Sequence, residues 1–200
     1  MVIGITGGFC TGKSKVAKIF KNLGAKIMDL DKLAHKTLKP TTKSYKAIIK
    51  KFGKGILIKN NIDRSLLAKK VFNNKKNLAK LNSIIHPIVI KQMLSLINKF
   101  KKKNIVVVEA PLLFEANLKE YFNYIIVVKT TKKVQLERAV KKEGFHRLDA
   151  LQRINMQWPL KKKISSADFV VDNNKSIREI REQIKIIWNK LNFIKKNNKF

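Results

Sequence analysis

An α/β fold, in which helices cover both faces of a five-stranded parallel sheet, is predicted for these 200 residues by three observations. Short, nearly continuous apolar runs alternate with longer stretches of helical periodicity, the order expected of strand–helix–strand crossovers. Residues 7–14 read GGFCTGKS, satisfying G-x-x-x-x-G-K-[ST], and they follow the first apolar run directly. Apolar residues make up 44% of the chain, ample for the core of a single domain of this length.

The first strand is expected at 2–6, followed by the glycine-bearing loop and a helix over 14–23. Backbone N–H groups of such a loop point inward, and the helix N-terminus adds positive potential, so a polyphosphate is held mainly by main chain. Gly7 and Gly12 let the chain turn close to the phosphates, Lys13 reaches the β- and γ-phosphates, and the Ser14 hydroxyl ligates Mg²⁺. The second strand, 25–28, delivers Asp29 and Asp31 to the carboxyl edge of the sheet, where ligands of parallel α/β folds sit. A carboxylate there can accept the proton of an attacking hydroxyl or hold hydrated Mg²⁺. Asp31 is assigned as the base; its competing role is to cap a helix beginning near Lys32.

Residues 31–103 are too long for a simple crossover, and their apolar spacing is helical. Leu33, Ala34, Thr37 and Leu38 begin it; Ile88, Val89, Met93, Leu94 and Ile97 close it. Phe52-Gly53 and Asn60-Asn61 mark breaks between helices, and the segment is read as an insertion that encloses a second substrate. His86, beside Pro87, reads from spacing alone as a helix-boundary or hydrogen-bonded residue.

A third strand at 105–109 ends on Glu109, a candidate for the Mg²⁺ side of the site, and a fourth lies at 124–128. Residues 132–163 then form a lid of two helices, broken near Gly144 and stopped at Pro159. Arg138 and Lys142 stand four apart on one helix face, with Arg147 and Arg153 in the next. Such cations can neutralise charge on a transferred phosphoryl group, or simply face solvent. The fifth strand, 168–171, precedes a helix over 175–193 with Ile177, Ile180, Ile184 and Ile187 on one stripe, and residues 195–199 read as a frayed tail.

The formal charge of +32 raises nucleic-acid binding, but only six of the 45 basic residues are Arg, and the lysines spread along the whole chain. Neither clustered Arg for base contacts nor aromatics interleaved with basic residues are visible. No specific nucleic-acid partner and no membrane partner are therefore expected. No apolar run approaches the roughly 18 to 20 residues of a membrane span. The lone Cys10 forms no intrachain disulfide, and His35, His86 and His146 lack metal-ligand spacing, so a cytoplasmic monomer is expected.

Taken in order, these landmarks resemble the dephospho-coenzyme A kinases. The resemblance rests on Ile3 through Ser14, Asp29-Leu-Asp31, Asp63-Arg64, Val71-Phe72, Leu81-Asn82 and His86-Pro87. It continues through Glu109-Ala-Pro-Leu-Leu-Phe-Glu115, Gln135-Leu-Glu-Arg138, Arg153-Ile154, Gln157 and Ala167-Asp168 to Asp172-Asn-Asn174. It implies a three-layer P-loop kinase fold with core 1–30, 104–131 and 164–200, a helical coenzyme A-binding insertion 31–103, and a lid 132–163. It also implies ATP-dependent phosphorylation of the ribose 3′-hydroxyl of dephospho-coenzyme A, with Mg²⁺ as cofactor. Asp31, Lys13 and Arg138 would then be catalytic. Gly8, Phe9, Cys10, Thr11, Gly12, Lys13, Ser14, Lys15 and Asn173 would hold the nucleotide, and Asp31, Arg64, His86, Pro87 and Leu112 the acceptor. Two residues depart from the family pattern: Cys10, where glycine, alanine or serine is usual, and Lys142, where arginine is common. A nucleoside or nucleotide kinase would share the loop but not the Pro111-Leu-Leu-Phe-Glu115 and His86-Pro87 elements. A lysine-rich nucleic-acid binder that uses ATP would explain only the charge.

Overall fold

Five strands, β1 (Val2–Gly7), β2 (Lys26–Asp29), β5 (Val106–Glu109), β6 (Tyr124–Lys129) and β7 (Phe169–Asp172), pair in parallel in the order β2-β5-β1-β6-β7. The two remaining strands, β3 (Leu57–Ile58) and β4 (Asn61–Ile62), form a separate antiparallel hairpin. This computed structural model describes residues 1–72, 74–102 and 104–197. The expected insertion boundary at Lys103 and the tail residues Asn198 and Lys199 lie outside the described residues. Each apolar run of the sequence forms its strand, with ends moved by one residue where the hydrogen-bond ladder continues. The Lys26 N–H, for example, still donates to the Ile105 carbonyl at 2.9 Å.

The sheet's main core follows the two-residue alternation of strand side chains. Ile3 and Ile5 of β1, Val107 of β5, Ile126 and Val128 of β6 and Val171 of β7 share one buried face. Against it pack Val16, Ala17 and Phe20 of α1 (Lys13–Asn22) and Ile180, Ile184, Ile187 and Leu191 of α9 (Ile177–Asn197). Ile177, expected on the same stripe, is instead 44% exposed, because it opens the helix. The tail expected to fray from Lys195 is helical as far as Asn197. On the opposite face Gly4 leaves room for the segment after β5: a Cβ there would stand 2.5 Å from a Leu113 methyl and 3.1 Å from the Phe122 ring.

The chain divides into two compact units, Met1–Asp29 with Ile97–Phe200, and Leu30–Leu96. The second unit holds α2 (Leu30–Thr37), α3 (Lys43–Phe52), the hairpin, α4 (Arg64–Phe72) and most of α5 (Lys75–Phe100). Its core is Ile48, Phe52, Ile56, Ile62, Leu67, Val71 and Leu81. Gly53, at φ 78°, ends α3 where the break was expected. At Asn60-Asn61 the sequence suggested only a break, but the chain makes a hairpin whose turn residues Lys59 and Asn60 both have positive φ, 47° and 61°. That is the backbone sense that matches the twist of two antiparallel strands. Thr42 and Asp63 cap α3 and α4, accepting from the N–H groups of Tyr45 and Leu66. Pro87 does not bound a helix; α5 runs through it, without the N–H that would have met the Ser83 carbonyl.

Within the first unit, residues 132–163 contain the two expected helices, α6 (Lys132–Glu143) and α7 (Arg147–Met156), separated at Gly144 with φ 70°. Pro159 is also the N-cap of a third helix, α8 (Leu160–Ser165), its carbonyl accepting from the Lys162 and Lys163 N–H groups. Among the described residues no helix is long and apolar enough to cross a membrane.

Candidate active site

The glycine loop leaves β1 at the point where the sheet's connections diverge, one side leading to β5 and β2 and the other to β6 and β7. In parallel sheets such a divergence opens a crevice at the carboxyl ends of the strands. Gly7, at φ 153°, must be glycine: a Cβ would lie 2.3 Å from the Val128 carbonyl oxygen. Gly12, at φ 90°, packs so tightly that a Cβ would stand 2.1 Å from Asn173 Nδ2.

Two carbonyls of this loop are tied down. The Gly8 oxygen accepts from Lys13 Nζ at 2.9 Å and from Thr11 Oγ1 at 3.0 Å. The Thr11 oxygen accepts from Asn173 Nδ2 at 2.6 Å and Arg138 Nη1 at 3.3 Å. In a trans peptide the C=O and N–H of one unit point in opposite directions. Anchoring those two oxygens therefore turns the Phe9 and Gly12 N–H groups away from the anchors, leaving them as donors at the start of α1. Lys13 is buried, Ser14 and Lys15 are exposed, and α1 carries no acidic residue in its first turn, so an anion meets no fixed negative charge from that turn.

Beside this turn the Ser14 hydroxyl donates to Glu109 Oε1 at 2.6 Å. Glu109 is itself buried at the end of β5, and Asp29 is its register partner on β2. Register partners project from the same face, so the ends of β2 and β5 present two carboxylates side by side, one of them bonded to the Ser14 hydroxyl. That set of hard oxygen donors suits Mg²⁺, which takes one or two carboxylates and completes its shell with water and substrate phosphate. Among the described residues no cluster of three or more His, Cys, Asp or Glu forms a dedicated metal cage.

Helices α6 and α7 meet the loop through side chains. Phe9 and Cys10 pack on a small cluster of Leu136, Ala139 and Ala150, joined by Phe145 and Leu151. The Phe9 and Phe145 rings meet edge to face at 5.4 Å, and the Arg153 guanidinium lies 4.7 Å from the Phe145 centroid. Arg153 therefore braces the segment between α6 and α7. Arg138, besides holding Thr11, donates through Nη2 to the Asn173 carbonyl at 3.1 Å, which ties α6 to the turn after β7. Lys142 and Arg147 are exposed. Cys10 takes φ 54°, the left-handed conformation its non-glycine identity disfavours. Burial pushes its thiol pKa up, and Glu143 adds to the rise against Lys13, Arg138 and Arg153.

Leu112 projects from the segment after β5 and is 44% exposed. The other acceptor candidates belong to the second unit. Asp31 is exposed and is the second residue of α2, which starts at Leu30; it is not the cap of a helix beginning at Lys32, and Asp29 precedes the helix instead. Arg64 is exposed at the first position of α4. His86 and Pro87 lie mid-way along α5, and burial lowers the His86 pKa.

Sequence reasoning missed Lys163, which is 0% exposed within α8. Its ammonium pairs with Glu115 Oε1 at 2.8 Å and donates to the Pro111 carbonyl at 3.1 Å. Gln135, three residues before Arg138, is buried against Gly8, where an added Cβ would stand 2.7 Å from Gln135 Oε1.

The family model described as dephospho-CoA kinase matches residues 1–179. The chain is 42% identical over 192 residues to the dephospho-CoA kinase of Carboxydothermus hydrogenoformans, covering 94% of this chain and 93% of that one. It is 39% identical over 189 residues to that of Geobacillus kaustophilus, covering 92% and 93%. Among solved structures, the dephospho-CoA kinase from Campylobacter jejuni aligns with a TM-score of 0.70 at 29% identity, covering 95% of this chain and 96% of that one.

Proposed function

The chain belongs to the dephospho-CoA kinase family, and from that membership we propose how its residues share the work. The reaction moves the γ-phosphoryl of ATP to the ribose 3′-hydroxyl of dephospho-coenzyme A, giving coenzyme A and ADP, the last step of coenzyme A biosynthesis. Phosphoryl transfer asks little covalent chemistry of the protein; positioning and charge stabilisation dominate.

Gly8 to Lys15 receive the triphosphate on main-chain donors, with Lys13 leaving the Gly8 carbonyl to meet the β- and γ-phosphates. Arg138 keeps a permanent positive charge beside Gly12, where charge builds on the transferred group. Asn173, buried and with its Oδ1 unpaired, faces the adenine side of the nucleotide. Mg²⁺, when bound, neutralises phosphate charge, and Ser14 and Glu109 would hold it. Asp31 accepts the proton of the acceptor hydroxyl, while Arg64, His86, Pro87 and Leu112 hold dephospho-coenzyme A. The enzyme works in the cytoplasm as a monomer, and sedimentation of the purified chain at one protomer's mass is the result that supports the latter.

The observation that carries this reading is the Ser14–Glu109 hydrogen bond at the foot of a loop whose carbonyls are tied back. The test is ADP release measured with a panel of acceptors: dephospho-coenzyme A, pantetheine and nucleosides. Only dephospho-coenzyme A should support turnover. Asp31→Asn should lower kcat by about 10²- to 10⁴-fold while ATP affinity stays within about twofold; an unchanged kcat removes Asp31 as the base.

A further inference from the structure

Three segments converge on one buried ammonium. Lys163 Nζ lies 2.8 Å from Glu115 Oε1, 3.1 Å from the Pro111 oxygen and 3.4 Å from the Gly7 oxygen. Glu115 Oε1 also accepts from the Trp158 N–H at 2.8 Å, and the Trp158 ring stacks on Phe114 at 5.9 Å with 7° between planes. The Pro111 oxygen takes a further hydrogen bond from Thr6 Oγ1 at 3.1 Å. The lid's return segment, the segment after β5 and the last peptide of β1 are thus joined through one side chain.

A fully buried ammonium is retained only where its partners are in place, because its desolvation otherwise costs several kcal/mol. Its three N–H donors are matched here by three oxygens. One of those oxygens belongs to the peptide that opens the phosphate loop. Holding the Gly7 carbonyl on one side turns the Gly8 N–H of that same planar unit to the other. Neither the Gly8 nor the Thr11 anchors described above act on this peptide.

We infer that Lys163 is a positioning residue, which orients the Gly7–Gly8 peptide so that the Gly8 N–H is presented to the polyphosphate. It does so without touching the nucleotide. The inference rests on the kinase reading and adds to it the device that sets the first donor of the loop. Gly7 itself offers no side chain by which its peptide could be held, and glycine peptides rotate most freely. The strand pairing ends at Gly7, and the ammonium adds a restraint on its carbonyl from outside the loop.

The experiment compares wild type with Lys163→Met, which keeps the length and removes the charge, and Glu115→Gln, which keeps the acceptor for Trp158 and removes the ion pair. ATP affinity is measured by calorimetry, thermal unfolding by circular dichroism, and the Gly8 amide is followed by ¹H–¹⁵N NMR as Mg·ATP is added. In wild type the Gly8 amide should shift downfield on binding. In Lys163→Met that shift should be lost and ATP affinity should fall about tenfold, a loss of one hydrogen bond to a charged group. The Phe9 and Gly12 amide shifts should remain. Glu115→Gln should move the same two readouts in the same direction by about threefold, and it decides the matter if Lys163→Met does not fold. A purely structural lysine would lower only the melting temperature, and Gly8 shifts and ATP affinities within twofold of wild type in the folded variants overturn the inference. Wild type that binds no ATP would instead refute the kinase reading.

Discussion

At the scale of single residues, Cys10 is the clearest departure from what the loop's backbone asks. Its φ of 54° carries a Cβ into left-handed space, at a cost of about 1–3 kcal/mol for a non-glycine residue. Its side chain recovers part of that by packing beside Leu136 and Ala139 of α6. Cys10→Gly should therefore change stability by less than about 1 kcal/mol, while Cys10→Val, branched at Cβ, should destabilise by more than that and weaken ATP binding. Paired melting and calorimetry measure both. The raised thiol pKa also means less thiolate at a given pH. Iodoacetamide should react more slowly with Cys10 than with free cysteine at pH 8, and the alkylated protein should bind ATP less tightly; unaltered affinity would sever the thiol from the nucleotide. The residue missed from sequence, Lys163, is one of 39 lysines. Its burial depends on oxygens brought from positions 7, 111 and 115, and nothing in its neighbours Lys161 and Lys162 distinguishes it.

At the scale of elements, β1 is wedged between two unequal faces. Gly4→Ala would drive a methyl into Leu113, with 2.5 Å between carbons, and should cost about 1–3 kcal/mol. Adding Leu113→Ala should return part of the loss, and strictly additive melting shifts would show that the two sites do not meet. In α5, His86 gives a pH signature whose sign is fixed. Burial holds its folded pKa below the unfolded value of about 6.5, so the unfolded chain binds the proton more readily. Stability should fall as pH drops through 6.5 toward that lower folded value. Melting temperatures from pH 7.5 down to 5 should show the decline, and His86→Gln should flatten it. The five sheet strands were legible because each is a short apolar run, and the central β1, β5 and β6 are buried on both faces, as parallel sheets covered by helices require, while the edge strands β2 and β7 are partly exposed. The hairpin was not legible, since strands of two residues carry no periodicity and its turn reads Lys59-Asn60 rather than a glycine pair. The helix through His86-Pro87 was not legible either, because proline usually ends a helix.

At the scale of the whole molecule, the charge of +32 and the kinase fold make separable statements. Dispersed lysines should hold heparin or DNA at low ionic strength by counterion release, with affinity falling about 10³-fold or more between 50 and 200 mM salt. ATP turnover should persist over that range, and polyanion binding that survives it would favour a nucleic-acid role. The glycine loop, Lys13 and Ser14 were readable because their spacing is local. The anchors from Arg138, Asn173 and Lys163 were only partly so, because each acts across more than 100 positions. The same sheet order bears on how the chain is made. β1 is translated before its sheet partners, whose paired segments begin at Val106 and Tyr124. Its apolar edges must wait unpaired until those distant segments are made, which makes this strand dependent on slow, long-range closure. Nascent chains arrested before residue 124 should thus be chaperone clients, and the nucleotide pocket is assembled late from a segment translated early.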